Sequence, residues 1–155
     1  MVGYRARMRT QDVQDAMYAA MKARNQDEAA ALRLMLSALR SAEIEARAQL
    51  TEEQVVDVLQ REAKRRREAE AAYRDAGRTD RADQEAFELE VIARFLPAPL
   101  GEAELAALVD DVVVETGAAA PGDLGKVMGA LMPRVKGRAD GAVVRRLVQA
   151  RLAGS

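Results

Sequence analysis

With 155 residues, the chain has room for one ordinary domain or two very small ones, and it can bury a core without disulfide or metal staples. It contains no Cys and no His, which removes disulfides, thiolate nucleophiles, His-based triads and Cys/His zinc sites and leaves only carboxylate, Lys, Tyr or hydroxyl chemistry. A formal net charge of −1, only 3% aromatics, and the dominance of Ala, Leu, Arg and Glu point to an all-α protein, and they give no bulk electrostatic reason to bind polyanions.

No apolar run approaches the roughly 20 residues of a membrane span. The opening MVGYRARMRT is basic but is not followed by an apolar signal segment, so the chain reads as soluble and cytoplasmic. Of the 24 basic residues only Lys22, Lys64, Lys126 and Lys136 are lysines, a bias that GC-rich coding produces and that does not by itself indicate nucleic-acid binding.

In chain order, Val13, Ala16, Met17, Ala20 and Met21 follow helical spacing and predict an amphipathic helix from about Gln11 to Arg24, stopping at 25-NQD-27. Leu32, Met35, Leu36 and Leu39 carry a second helix, from about Asp27 to Arg47. Thr51, with Gln54 three residues later, is a capping-box signature for a third helix that carries Val55, Val58, Leu59 and Tyr73 and ends near Gly77. A fourth spans about Asp80 to Leu96. Short connections predict antiparallel neighbours, the third helix projecting beyond its partners.

The third helix contains 61-REAKRRREAE-70, which has two readings. Arg61, Lys64, Arg65, Arg66 and Arg67 form a basic stripe suited to phosphates. Alternatively the run is a solvated face, because acids are interleaved and Glu62 to Arg66 and Glu70 to Arg74 stand in the favourable i,i+4 order, each pair contributing about 0.2–0.5 kcal/mol.

The cluster 97-PAPLG-101 disfavours helix and marks a linker between an N-terminal subdomain of about four helices (8–96) and a small C-terminal three-helix module (102–152). Charge changes there too. Between Gly101 and Gly122 stand Glu102, Glu104, Asp110, Asp111 and Glu115 with no base; from Asp123 onward Lys126, Arg134, Lys136, Arg138, Arg145, Arg146 and Arg151 face only Asp123 and Asp140. An acidic helix from about Glu102 to Glu115 is followed by the loop 117-GAAAPGD-123. Asp123 then caps a short helix that ends near Pro133, with Leu124, Val127, Met128 and Leu131 on its apolar face.

Gly125 and Gly129 share a different face of that helix, at a cost of about 1 kcal/mol each against Ala, and they offer close approach to a helix backbone or a sugar-phosphate chain, with Lys126 and Arg134 supplying charge. The segment 134-RVKGR-138 is a basic turn before a last helix capped by Asp140, with Val144, Leu147, Val148 and Leu152 facing inward. A loop between two helix ends lined by Arg134, Lys136 and Arg138 forms an anion site. The competing reading is that these cations answer the preceding acidic helix.

The strings 125-GKVMGALMPRVKGRADG-141, 16-AMYAAMKARNQDEAAALRLMLSALRSAEIE-45 and 94-RFLPAPLGEAEL-105 resemble the YqeY family over about Met8 to Leu152. That family is similar to the C-terminal helical and tail region of the B subunit of glutamine-dependent Asp/Glu-tRNA amidotransferases. The resemblance implies two helical subdomains and a region that holds tRNA near its elbow while other domains carry the chemistry. It implies contacts at Gly125, Lys126, Gly129, Lys136, Gly137, Arg138 and Gly141, with Asp140 capping rather than contacting. The leader MVGYRAR precedes the matching region and reads as a disordered extension.

The resemblance also suggests an accessory role in carbon-nitrogen ligation with glutamine as amide donor. Catalysis of that kind needs ATP activation, an ammonia source and a metal, and the sequence has no nucleotide loop and no amidase nucleophile. Asp110, Asp111 and Glu115 are adjacent acids of the solvated kind, so no metal and no cofactor is expected. The sequence therefore predicts a non-catalytic module that binds tRNA or another structured RNA. The alternative is a protein-interaction adaptor gripping a partner through Gly125, Gly129, Met128 and Met132.

Overall fold

The computed structural model describes residues 8–154; the expected disordered leader lies outside them. The described residues form seven α-helices and one short 3-10 turn and contain no strand. The helices are α1 (Thr10–Lys22), α2 (Gln26–Ala46), α3 (Glu52–Asp75), α4 (Thr79–Ala93), α5 (Glu102–Thr116), α6 (Leu124–Val135) and α7 (Gly141–Ala153), with the 3-10 turn at Pro121–Asp123. The chain divides into two compact units, residues up to Pro97 and residues from Ala98 onward.

Local chemistry explains the helix ends of the first unit. Asn25 Oδ1 accepts from the Glu28 amide at 3.2 Å and starts α2. At α3, Thr51 Oγ1 accepts from the Gln54 amide at 3.2 Å while Gln54 Oε1 accepts from the Thr51 amide at 2.9 Å, a complete capping box. Gly77, with φ +74, closes the turn after α3 in a conformation that favours glycine. The fourth helix stops at Ala93, earlier than the apolar spacing suggests, because Phe95 and Leu96 reach the core from a turn.

The core of this unit joins Val13 and Met17 of α1, Leu32, Met35 and Leu39 of α2, Val55 and Leu59 of α3, and Val91 and Ile92 of α4. Met21, expected on the apolar stripe of α1, is 48% exposed. Eight residues after Val13 it lies about 80° around the helix, past the edge of the covered face.

The second unit has its own core. Leu105, Val109, Val112 and Val113 of α5 meet Val127, Leu131 and Val135 of α6 and Val144, Val148 and Leu152 of α7. Its side chains are short and mostly β-branched, so the three helices fill a small interior with stiff residues that lose little rotamer freedom on packing. Gly117, with φ +70, ends α5 and lets the amide of Ala118 reach the Val113 carbonyl at 3.1 Å. The 98–100 segment, expected as part of a linker, is fastened to this unit: Leu100 donates to the Arg138 carbonyl at 2.8 Å, and its side chain packs on the core.

Candidate nucleic-acid interface

Helix α6 turns Val127, Leu131 and Val135, spaced four apart, fully inward. Gly125, Lys126, Gly129 and Ala130 are exposed. A Cβ built on Gly125 or Gly129 would meet nothing within 4 Å among the described residues, so no described element uses the smallness of either residue. Pro133 was expected near the end of this helix, yet α6 runs on to Val135. Proline has no N–H, so the Gly129 carbonyl loses its intrahelical donor. The fold absorbs that loss because the extra turn buries Val135 completely.

Beyond α6, Lys136 has φ −55 and ψ 128, Gly137 has φ +79, and the Arg138 amide donates to the Val135 carbonyl at 2.8 Å. These features define a type II turn, whose third position requires a residue comfortable at positive φ. Gly137 therefore has a conformational role in the turn. Arg138 serves structure as well, since its Nε donates to the Ala98 carbonyl at 3.0 Å while its own carbonyl accepts from Leu100. Asp140 Oδ1 accepts from the Ala142 amide at 2.7 Å and caps α7. At Gly141 an added Cβ would lie 3.6 Å from Met132 Cε, an ordinary contact.

Asp123 occupies the cap position of α6, but its side chain makes no capping bond to that helix. Its Oδ2 instead accepts from the Ala119 and Ala120 amides at 2.9 and 3.1 Å, tightening the preceding loop, and these backbone hydrogen bonds hold the carboxyl below the usual range. The charge polarity is partly consumed within the unit. Arg134 pairs with Glu115 at 2.9 Å and Arg151 with Asp110 at 2.8 Å, tying α6 and α7 to the acidic α5. Lys126, Lys136, Arg145 and Arg146 are exposed along the same chain segment. The residues singled out from the sequence thus lie on α6, on the turn and at the start of α7, but Arg134, Gly137, Arg138 and Asp140 each have an internal structural task.

In the first unit the basic run departs from a uniformly solvated face. Arg66 is buried, with its Nη1 2.8 Å from Glu62 Oε1 and its Nε 3.3 Å from Glu88 Oε1 of α4. The Nε contact is ionic rather than a hydrogen bond. Glu88 is itself buried, and burial together with the Glu88 charge pushes the neighbouring Glu85 carboxyl up. The i,i+4 order of Glu62 and Arg66 was visible in the sequence; the partner on α4 was not. Arg74 binds Glu70 at 2.8 Å and also Asp83 of α4 at 3.2 Å. An open groove of about 290 Å³ lies between the end of α2 and the start of α3, lined by residues that include Glu45, Gln54, Asp57 and Arg61. Among the described residues no group of three or more acids is arranged to hold a metal ion, and no helix is long and apolar enough to cross a membrane.

The described residues define an all-helical protein. The Yqey-like protein family matches residues 10–152, nearly the whole length, and the chain belongs to it. No curated protein matches the chain.

Proposed function

We propose that the protein is a non-catalytic, cytoplasmic module that binds structured RNA, tRNA or a tRNA-bearing complex, through α6, the 135–138 turn and the start of α7. We group the helices as a four-helix N-terminal part and a three-helix C-terminal part, with binding assigned to the latter. The observation that carries the reading is that Gly125 and Gly129 are open to solvent with Lys126 exposed beside them. Glycine in a helix costs about 0.5–1 kcal/mol against alanine. Because no described neighbour exploits the space, we assign the compensating use to a partner outside the chain. A sugar-phosphate backbone suits a flat strip flanked by cations. The likeness of this family to the tail of the amidotransferase B subunit agrees, as does the amide-ligation context, in which this chain would be an accessory.

The same open strip also suits a partner helix, with half-buried Met128 and Met132 supplying adaptable apolar contact. Two substitutions separate the readings. For an RNA contact, Lys126→Glu weakens tRNA binding in a filter or mobility assay while the circular dichroism of the helices is unchanged. For an adaptor, the charge reversal has little effect and Gly129→Leu removes partner binding. Unchanged tRNA affinity in Lys126→Glu and Lys136→Glu sinks the RNA assignment at this site.

A further inference from the structure

A second cationic surface lies on α3. From Arg61 through Arg67 every exposed residue is a cation: Arg61, Lys64, Arg65 and Arg67. In the sequence the run looks self-neutralised, because acids alternate with bases. The fold sorts them. Ala63 and Arg66 turn into the helix pair, and Glu62, half-buried, turns with them to hold Arg66 at 2.8 Å. Glu88, which could have reached a basic side chain from α4, is buried against Arg66 as well. Glu88 is committed to the inward arginine, and Glu62 is shared between Arg66 and Arg65. Outside, among the described residues, only Arg65 has a carboxylate at ion-pair distance, Glu62 at 3.0 Å, and that arginine remains 74% exposed. The neighbouring acids that remain are half-buried Asp57 and exposed Glu68, four residues from Arg61 and Lys64 on the same helix face, and half-buried Glu85, which senses Arg65, Arg66 and Arg81.

Arg61, Lys64 and Arg65 share one helix face, and Arg67 stands on its flank. The six residue steps from Arg61 to Arg67 span about 9 Å, so four cations cover a length comparable with a few nucleotide phosphates. Arginine's planar fork suits phosphate oxygens, and the apolar side of α3 is already committed to Val55, Leu59 and Ala63 in the core.

We propose that this band on α3 is a second surface for contact with the phosphate backbone of structured RNA, the Glu62–Arg66–Glu88 cluster drawing carboxylates inward so that cations predominate on the outer face. The inference rests on the RNA reading but names a different surface, in the other unit.

The test is tRNA binding across a salt series for the parent, for Lys64→Glu/Arg67→Glu, and for Lys126→Glu. Both substituted side chains of the double variant are exposed, and circular dichroism verifies its fold; Lys64→Gln/Arg67→Gln repeats the measurement without introducing acids. The expected result is a plot of log affinity against log salt that is shallower by about two for the α3 variant, about one per lost phosphate contact. A parent-like slope in both α3 variants, with Lys126→Glu weakened, overturns the α3 contact and leaves the C-terminal site standing. Loss of binding in the α3 variants alone supports the α3 contact and overturns the C-terminal site. A parent that fails to bind tRNA overturns both.

Discussion

The two units differ in whether charge enters the core. In the first, an arginine is buried between α3 and α4 and paired with two glutamates, so ionic chemistry lies inside the helix pair. In the second, the core is purely aliphatic, and the pairs Arg134–Glu115 and Arg151–Asp110 lie at the surface, with all four side chains at least 38% exposed. The consequence differs in size and in kind. Removing one member of a buried pair leaves a charge stranded in a poor solvent, whereas an exposed pair contributes only about 0–1 kcal/mol and is screened by salt.

The largest test of that contrast is Arg66→Ala. Stranding Glu88, and leaving Glu62 only exposed Arg65, is expected to cost about 3–5 kcal/mol, read as a lower denaturation midpoint. The joint replacement Arg66→Met with Glu88→Leu should recover most of the loss, because the buried acid facing the gap goes with its partner. If Arg66→Ala were neutral, the inside placement of charge would have no energetic meaning.

A smaller effect of opposite sign is expected in the second unit. Gly129→Ala adds a methyl where nothing lies within 4 Å, so it should raise stability by about 0.5–1 kcal/mol while weakening RNA binding. A variant both more stable and fully active would mean that the open strip has no external use.

The smallest effect concerns Glu85. Its folded carboxyl titrates above its unfolded value, mainly because burial opposes its charge. The penalty is therefore present at pH values above the folded pKa and disappears as pH falls below the unfolded one. Glu85→Gln should stabilise slightly at neutral pH, and a stability–pH series should show the gain shrinking toward acid. A gain that grew with acid would reverse the assigned cause.

The helices were legible because their apolar residues recur at helical spacing and their caps are local: Thr51 with Gln54 announces α3 within four residues. The same locality limited the reading. Val135 looked like part of a turn because Pro133 precedes it, and only its complete burial among α5 and α7 side chains shows why the helix continues. For Arg66 the sequence offered its i,i+4 partner Glu62 but not its burial, since its other partner Glu88 is a long-range neighbour that no local pattern announces. At the candidate interface the sequence singled out Arg138 and Gly137 as contacts. Their positions in a type II turn and in bonds to Ala98 and Leu100 give both an internal task that spacing alone does not reveal. Lys126 and the two open glycines are the part of that reading for which no such internal task is evident.

The most direct test of the central claim is the affinity of the purified parent protein for tRNA between about 50 and 200 mM salt, where phosphate contacts make log affinity fall linearly with log salt. The account predicts measurable binding at the low end and a steep negative slope that Lys126→Glu makes shallower. Absent binding, or binding indifferent to salt, would contradict it and leave the C-terminal helices as a surface for a protein partner.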